Sequence, residues 1–278
     1  MKKDYFTLQD DFVAIIKSQV PDCVNIEKIP TGWTNYVFRA NCADGSALVF
    51  RFPRNNFFAE ALKKEIVFTP YVKKLLTVNT IDITYKFHDG RGYSIHNFIN
   101  GYTLTESCLL MNEQQIKVFC DDIANYINQL RQVDVTKVPD LRQETLSQFL
   151  IDLATVNNDP DYDLGLFNPL IQQEQKQLVT THGDFNPGNI ILDKDYKLVA
   201  VLDYAFICRS APLADLSVLL ARVPAKFHTP LITSYQNVTK QKVDKHELGQ
   251  LVQIRKEVEL DYIKYMLREH PDVKLPQA

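Results

Sequence analysis

The sequence predicts an α+β fold with two lobes, in which a β-rich N-terminal lobe precedes a mostly helical C-terminal lobe. Short apolar runs separated by turn residues occupy most of the chain before Gly101. Beyond that residue the apolar side chains recur at helical spacing, and one compact β segment at 180–202 interrupts them. We therefore expect two domains, 1–98 and 99–278, with a ligand site in the cleft between them.

The N-terminal lobe is predicted to begin with a helix at residues 8–20, because apolar side chains recur there at helical spacing and Pro21 ends the run. Turn residues such as Ala43-Asp44-Gly45 then separate a series of short β-type runs. These predicted strands cover residues 24–29, 35–40, 47–52, 83–87 and 93–98. A helix at 59–76 is expected between the third and fourth strands. The pattern is typical of an antiparallel meander with one inserted helix.

The C-terminal lobe is predicted to be mainly helical. Residues 113–133 repeat apolar side chains such as Ile116 and Phe119 at helical spacing, and a second helix is expected at 146–156. A loop rich in Asn and Asp at 157–164 precedes the β segment, and helices are expected from there to the end of the chain.

Composition and charge exclude several classes of partner. Hydrophobic residues make up 45% and charged residues 23% of the 278 residues, as in ordinary globular proteins. A net charge of −3 gives no basic field for nucleic acid or for an anionic membrane. No apolar region follows Lys2 and Lys3, and no apolar run approaches the ~20 residues of a membrane helix, so we expect neither a signal peptide nor a membrane span. Five cysteines without a C-x-x-C pair indicate a reducing, cytoplasmic location.

The residues that indicate chemistry lie in and just after the β segment. Asp184 and Asn189 are five positions apart, across a loop that contains Pro187 and Gly188 and therefore does not continue as a helix. Asn189 begins one apolar run and Asp203 ends the next, which predicts a hairpin whose ends bring both side chains to one edge. Two carboxylates and an amide there would supply a proton acceptor and hard oxygen ligands for Mg²⁺, the groups that phosphoryl transfer needs.

In this order and at this spacing, His182-Gly183-Asp184, Asn189 and Leu202-Asp203-Tyr204 resemble the signature of the aminoglycoside phosphotransferase and choline kinase superfamily, which has a protein-kinase-like fold. The resemblance implies a kinase that moves the γ-phosphate of ATP or GTP onto a hydroxyl of a small molecule. It also implies that Asp184 is the catalytic base and that Asn189 and Asp203 hold Mg²⁺. A His-Gly-Asp tripeptide alone, or an Asp five positions before an Asn alone, would more often be ordinary turn chemistry.

In the N-terminal lobe the resemblance implies side chains that bind the nucleotide. Gly32 and Asn35 lie in a stretch similar to the loop that covers the phosphates, where a glycine lets backbone N–H groups come close. Arg51 takes the place of the strand cation that binds the phosphates, which is lysine in many relatives. Glu65 on the next helix is expected to pair with it, in preference to Glu60. Strand alternation leaves open whether Arg51 points into the cleft or to solvent.

The segment that joins the two predicted lobes resembles the family hinge. Its backbone groups near Asn97 and Ile99 would bind the base, but backbone contacts leave no side-chain code, so ATP and GTP both remain open. We expect His182 to be a buried scaffold residue. Asp215, in a stretch that resembles the family's acidic position after the metal-binding Asp, is expected either to accept hydrogen bonds from the catalytic loop or to lie at a helix N-terminus.

The acceptor is expected to bind in the helical lobe, where acidic side chains would contact a cationic molecule. The candidates are Asp159, Asp161, Asp163, Glu257, Glu259 and Asp261. Glu257 and Asp261 share a helix face at i,i+4, although interleaved Lys and Arg are more typical of an ordinary charged surface. Aminoglycosides, with antibiotic resistance as the consequence, choline or ethanolamine, and sugars are the acceptor classes that the resemblance allows.

Two other functions are weighed against this one. A nucleotide-binding pseudokinase would lack Asp184, Asn189 or Asp203, and all three are present. A protein kinase is disfavoured because the nucleotide loop has a single glycine and His-Gly-Asp replaces His-Arg-Asp. The Asp-Phe-Gly and Ala-Pro-Glu elements of protein kinases are also missing from the sequence.

Overall fold

The computed structural model of the protein describes residues 5–30, 32–138, 144–156 and 163–269. The strands are β1 (Cys23–Ile29), β2 (Asn35–Cys42), β3 (Ala47–Pro53), β4 (Ile83–His88), β5 (Arg91–Asn97), β6 (Tyr102–Thr103), β7 (Val179–Thr181), β8 (Ile190–Leu192), β9 (Leu198–Val201) and β10 (Cys208–Ser210). The helices are α1 (Phe12–Gln19), α2 (Asn56–Val72), α3 (Leu104–Ser107), α4 (Glu113–Arg131), α5 (Leu146–Val156), α6 (Asn168–Lys176), α7 (Ala214–Arg222), α8 (His228–Thr239) and α9 (Lys245–Glu269). The predicted α+β class and its two-lobed order are confirmed.

The N-terminal lobe is built on an antiparallel sheet with the strand order β1-β2-β3-β5-β4. The central strand β3 is buried from Val49 to its end. Alternation places Phe50 and Phe52 in an aromatic cluster with Phe12 of α1, and it places Val49 and Arg51 on the opposite face, toward the cavity described below. The alternative of a solvent-facing Arg51 is therefore excluded.

Capping side chains set the start of the first two helices, and the predicted boundaries there were wrong by a few residues. Asp11 accepts a hydrogen bond from the backbone N–H of Ala14 (2.9 Å), so α1 begins at Phe12. Asn55 accepts one from Phe58 (3.0 Å), so α2 begins before the predicted residue.

The core of the C-terminal lobe surrounds α4. Its fully buried side chains include Phe119, Ile123 and Tyr126, and it begins with a capping box between Asn112 and Gln115. Helices α7 and α9 pack against each other on the side that faces the catalytic loop. In the described residues no helix is long and apolar enough to cross a membrane.

Two small sheets cross the helical lobe, in the orders β6-β8-β9 and β10-β7. The predicted hairpin is present as β8 and β9, which pair antiparallel with Ile190 opposite Val201. Strand β10 was not predicted, because a three-residue strand is too short to carry a recognisable period. Its partner β7 leads directly into the His182-Gly183-Asp184 loop, so β10 helps to fix that loop.

Candidate active site

A cavity of about 610 Å³ lies between the sheet of the N-terminal lobe and the helical lobe. Its walls come from the β1–β2 connection, β3, the segment after β5, the catalytic loop, the β8–β9 hairpin, and helices α7 and α9. The volume is within the roughly 300–1,000 Å³ that ligand pockets usually have.

The hairpin holds three of the predicted residues at the cavity. The backbone N–H of Leu202 donates to the Asn189 carbonyl (2.8 Å), which ties the two strand ends together. The Asn189 amide Nδ2 donates to the backbone carbonyl of Asp184 (3.0 Å) and lies 3.4 Å from its Oδ2. Asp203 follows Leu202 and also lines the cavity. Asp184, Asn189 and Asp203 therefore meet at one site, as the hairpin predicted.

The loop that carries Asp184 is anchored from below by a buried carboxylate. Asp215 Oδ2 and Oδ1 accept hydrogen bonds from the backbone N–H groups of His182 (2.9 Å) and Gly183 (3.2 Å). Burial raises the pKa of Asp215, and His182 and the two N–H donors oppose that effect. Asp215 also lies in the first turn of α7, so both expected roles apply. His182 is fully buried and contacts the Leu202 carbonyl through Nε2 (2.9 Å), consistent with a scaffold residue.

Asp203 has a left-handed backbone conformation, with φ +63°. Its side chain is 32% exposed and makes no capping hydrogen bond to the 3-10 turn that follows it. One carboxylate oxygen lies 3.8 Å from Arg51 Nη1. A strained residue of this kind persists only where its surroundings hold it, and such residues concentrate at functional sites.

Arg51 and Glu65 form a buried ion pair beside Asp203. Arg51 Nη2 is 2.5 Å from Glu65 Oε2, and Arg51 Nε donates to Ser94 Oγ (3.1 Å). The backbone N–H of Tyr204 donates to the other Glu65 oxygen (3.2 Å), which links α2 to the segment after Asp203. By contrast, Glu60 is exposed and pairs with a neighbouring lysine on its own helix.

Burial dominates the protonation of this pair. It raises the pKa of Glu65 to about 7, although Arg51 acts in the opposite direction. Burial alone would lower the pKa of the Arg51 guanidinium, but Glu65 and Asp203 more than offset it, so that pKa lies above its ordinary value. Arg51 therefore stays cationic at the edge of the cavity.

The β1–β2 connection covers one side of the cavity. A Cβ atom on Gly32 would lie 2.6 Å from the Asn35 carbonyl oxygen, so the close approach of the chain requires glycine. Asn35 is buried and donates Nδ2 to Thr34 Oγ1 (2.7 Å), while its buried Oδ1 has no hydrogen-bond partner among the residues that the structure describes. Trp33 in the same connection packs on Tyr262 of α9 with ring centroids 5.5 Å apart.

The predicted hinge follows the last long strand of the N-terminal sheet, β5. Ile99 lines the cavity, whereas the Asn97 side chain is exposed and does not. The Asn97 carbonyl lies 2.9 Å from His96 Nδ1, which donates to it. Burial and the charge of Arg51 lower the pKa of His96 to about 3, so this buried ring is neutral. Any contact from Asn97 to a base would therefore share a carbonyl that already accepts a hydrogen bond.

Several cavity residues on α7 and α9 were not predicted from the sequence. Arg222 Nη1 lies 3.7 Å from Asp184 Oδ1, and its Nε donates to Glu259 Oε2 (2.9 Å). Arg255 Nη2 donates to the Gly183 carbonyl (3.0 Å), and Tyr262 also lines the cavity. The signal was the i,i+3/i+4 series Arg255, Glu259 and Tyr262, which places all three on one helix face.

On α9, Glu257 and Asp261 belong to the ordinary charged surface that the interleaved Lys and Arg indicated. Glu257 accepts a hydrogen bond from Gln253, Asp261 pairs with Lys264, and neither lines the cavity. Of the three acidic residues proposed there, only Glu259 does. Asp163 caps a short 3-10 turn through the N–H of Gly165 (2.8 Å) instead of facing the cavity. The other two candidates, Asp159 and Asp161, lie outside the described residues.

Solved structures identify the class of protein that this fold defines. The fold is similar to that in the GDP and kanamycin complex of APH(2")-IIia, with 20% identity, 94% of each chain covered and a TM-score of 0.71. It is also similar to APH(3'')-Id from Streptomyces rimosus in complex with ADP and streptomycin (18% identity, 87% of this chain and 96% of that one, TM-score 0.66). A third similar structure is the macrolide 2'-phosphotransferase MphH from Brachybacterium faecium (14%, 97% and 100%, 0.64). The fold is that of the small-molecule phosphotransferases.

A sequence model of the Phosphotransferase enzyme family (APH) matches residues 25–248. The chain belongs to this family. A search of curated protein sequences found no significant match.

Proposed function

We propose that this protein is a small-molecule kinase that transfers the γ-phosphate of ATP or GTP to a hydroxyl group. The observation that carries the proposal is the meeting of Asp184, Asn189 and Asp203 at one cavity, beside the buried Arg51–Glu65 pair. Phosphoryl transfer requires positioning and charge stabilisation more than covalent chemistry from the protein, and these are the groups that provide both.

Asp184 is proposed as the base that orients the acceptor. Its Oδ2 accepts a hydrogen bond from Asn186 (2.8 Å), which fixes the carboxylate. The acceptor oxygen attacks the γ-phosphorus, the bond from that phosphorus to the bridging oxygen breaks, and the hydroxyl proton passes to Asp184. The nucleoside diphosphate leaves with the electrons of the broken bond. A base in this role must lie within hydrogen-bond reach of the hydroxyl. Asp184 lines the cavity in which the acceptor would bind.

Asn189 and Asp203 have the right chemistry to hold Mg²⁺. The Asn189 Nδ2 is directed to Asp184, which leaves the amide oxygen as its donor atom, and Asp203 adds a half-buried carboxylate. Mg²⁺ usually takes one or two protein oxygens and completes its coordination with phosphate and water. When bound, the ion would neutralise charge on the transferred phosphate.

The remaining cavity groups are proposed to bind the nucleotide. Arg51, held by Glu65, would contact the phosphates. The connection at Gly32 and Asn35 would cover them, and backbone groups at Ile99, together with Asn97, would contact the base. Both adenine and guanine remain possible, since one similar structure contains GDP and another contains ADP. We place the lobe boundary at 98/99, where the chain leaves β5.

We also propose a cytoplasmic location, without a membrane or nucleic-acid partner. All five cysteines are free in the structure, and four of them are buried, which suits a reducing compartment. Kanamycin and streptomycin are named with two of the similar structures, so antibiotic resistance through an aminoglycoside acceptor would belong to this proposal if such a molecule proved to be the substrate.

The proposal is tested first through its metal dependence. Nucleotide hydrolysis, with water as the acceptor, should require Mg²⁺ and should stop with EDTA. Asp203→Asn should lower kcat/KM at least about 100-fold, the size found for removing one electrostatic group from a reacting centre. Asp195→Asn, at the exposed turn of the same hairpin, is the matched control and should retain activity. Metal-independent hydrolysis, or a fully active Asp203→Asn, would overturn the assignment.

A further inference from the structure

The cavity next to Asp184 carries two arginines from the helical lobe. Arg222, at the end of α7, has Nη1 3.7 Å from Asp184 Oδ1. Arg255, on α9, donates Nη2 to the backbone carbonyl of Gly183 at 3.0 Å. Both guanidinium groups therefore lie beside the loop that presents the proposed base.

These arginines take partners different from those of Arg51. Arg51 contacts Glu65, Ser94 and Asp203, at the end of the cavity assigned to the nucleotide phosphates. Arg222 contacts only Asp184 and Glu259 among the ion pairs of the described residues. Arg222 therefore lies beside the proposed base, where the acceptor hydroxyl would bind.

The acidic side chains of the cavity offer little to a polycation. In the described part of the chain they are Glu106, Asp184, Asp203 and Glu259. Glu106 accepts hydrogen bonds from the backbone N–H (2.7 Å) and Oγ1 (2.9 Å) of Thr103 in a capping box. Asp184 and Asp203 belong to the reacting groups, and Arg222 neutralises Glu259 (2.9 Å).

The Arg222 side chain is only 27% exposed, and Glu259 fixes the Nε edge of its guanidinium group. Its Nη1 atom lies at 3.7 Å from Asp184, longer than a hydrogen bond. An arginine fixed along one edge presents its other N–H groups in a planar fork, which matches the two oxygens of a carboxylate or phosphate.

We propose that Arg222 binds an anionic group of the acceptor, a carboxylate or a phosphate, and so places the acceptor hydroxyl beside Asp184. Resting as it does on the proposed kinase function, the inference names the class of acceptor: a small hydroxy compound with an anionic group a few bonds from its hydroxyl. Glu259 orients the guanidinium. A polycationic acceptor would instead meet two arginines at this end of the cavity.

The direct test compares acceptors that differ only in the anionic group. Serine is compared with ethanolamine, and glycerate and glycerol 3-phosphate with glycerol, while kanamycin serves as the polycation. Binding is followed by the fluorescence of Trp33, the single tryptophan, whose ring lies on Tyr262 one helical turn from Glu259. Phosphate transfer is measured in parallel with Mg²⁺ and either nucleotide. In at least one pair, the anionic compound should bind and react better than its uncharged or cationic counterpart. A preference for glycerate would indicate a carboxylate on the acceptor, and a preference for glycerol 3-phosphate would indicate a phosphate.

Three variants of the pair sharpen the test. Arg222→Gln should raise KM for the anionic acceptor about 10- to 100-fold, as expected for the loss of a charge-assisted hydrogen bond, with a smaller effect on kcat. Arg222→Lys should restore part of the affinity. Glu259→Gln should keep or improve binding of the anion. For a cationic acceptor, Glu259→Gln would weaken binding and Arg222→Gln would not. Arg268→Gln, at an exposed position of α9, the helix that carries Glu259, is the control.

The two proposals fail in different ways. If the wild-type enzyme hydrolyses nucleotide but binds none of the anionic probes, or prefers ethanolamine or kanamycin, the acceptor inference is overturned and the kinase function stands. If anionic probes bind through Arg222 but nucleotide is neither bound nor hydrolysed, the kinase function fails and the anion site remains.

Discussion

Glu65 is a carboxyl group with no access to solvent, and its two oxygens are divided between different parts of the molecule. One oxygen contacts Arg51 at 2.5 Å, and the other accepts from the backbone N–H of Tyr204 at 3.2 Å. This residue therefore joins the strand cation, helix α2 and the segment that follows Asp203. Removing the charge of a buried partner is more disruptive than removing an exposed ion pair, because the other charge is left without compensation.

The buried carboxyl predicts a pH-dependent contribution to stability. Burial raises the pKa of Glu65 to about 7, above the 4.5 of an exposed glutamate, so the folded state binds the proton more tightly than the unfolded state. The contribution of Glu65 is therefore fully present below pH 4.5 and is lost as the pH rises toward 7. The free energy of unfolding of the wild type relative to Glu65→Gln should fall by up to about 3 kcal/mol across that range.

Urea unfolding of both proteins at several pH values measures this difference, with Glu60→Gln as the exposed control on the same helix. A difference that does not change with pH would show that Glu65 keeps an ordinary pKa.

Gly183 is required by geometry at the catalytic loop. Its φ is +80°, and a Cβ there would lie 2.1 Å from the Phe206 carbonyl oxygen. Gly183→Ala should therefore lower the free energy of unfolding by about 2 kcal/mol or more, and should displace Asp184. Gly249→Ala is the matched control, because Gly249 is in α9 with nothing within 4 Å of an added Cβ. That variant should gain about 0.5–1 kcal/mol. If both changes have the same sign in urea unfolding, the account of the loop is wrong.

At the scale of elements, the catalytic loop is positioned by a helix that is distant from it in sequence. Asp215, in the first turn of α7, accepts from two consecutive backbone N–H groups of that loop. Strands β7 and β10 fix the residues just before it. The hairpin fixes Asn189 and Asp203 after it, so the loop is held at both ends and from below.

Asp215→Asn should loosen this support. The amide can accept from only one of the two N–H groups, and its own NH₂ would face the other donor in a buried site. We expect a loss of about 2–3 kcal/mol in the free energy of unfolding and a fall in kcat for nucleotide hydrolysis, with a smaller change in nucleotide affinity. Asp261→Asn is the control, because it breaks an exposed pair with Lys264 away from the cavity. It should change the free energy of unfolding and kcat little. Unchanged stability in Asp215→Asn would contradict the proposed support.

Elements with a clear period were predictable, and those set by local contacts were not. The hairpin followed from two apolar runs around a turn, and the structure contains it. The start of α1 depended on one capping side chain, Asp11, and strand β10 was too short to show a pattern. On α9, the interleaved charges indicated an ordinary surface around Glu257 and Asp261, but spacing did not say which helix face meets the cavity.

At the scale of the whole molecule, the buried apolar side chains form two hydrophobic clusters. One contains the aromatic residues between α1 and the sheet, and the other fills the helical lobe and includes Phe58, Phe68 and Val72 of α2. The cavity lies between them, so each lobe supplies a different part of the site. The N-terminal lobe contributes the connection at Gly32 and Arg51, which pairs with the buried Glu65. The C-terminal lobe contributes the carboxylates and the arginines of α7 and α9.

This division explains which site residues could be predicted. Asp184, Asn189 and Asp203 lie close in sequence, in one hairpin and the loop just before it, and form a recognisable pattern. Arg222 meets Asp184 only through the packing of α7 and α9, across many residues of chain, and nothing local marks it. The order of the two lobes was predictable from the spacing of apolar residues, which becomes helical after Gly101. The contacts that join the lobes leave no such pattern in the sequence.

The central claim is that Asp184 is the base at this site, and Asp184→Asn tests it most directly. The change is nearly isosteric, and its amide oxygen still accepts from Asn186, so the melting temperature should stay close to that of the wild type. Because the amide cannot take the hydroxyl proton, phosphate transfer with Mg²⁺ should fall about 10²- to 10⁴-fold. Nucleotide affinity, followed through Trp33, should change far less. A folded Asp184→Asn protein that transfers phosphate at the wild-type rate would contradict the account.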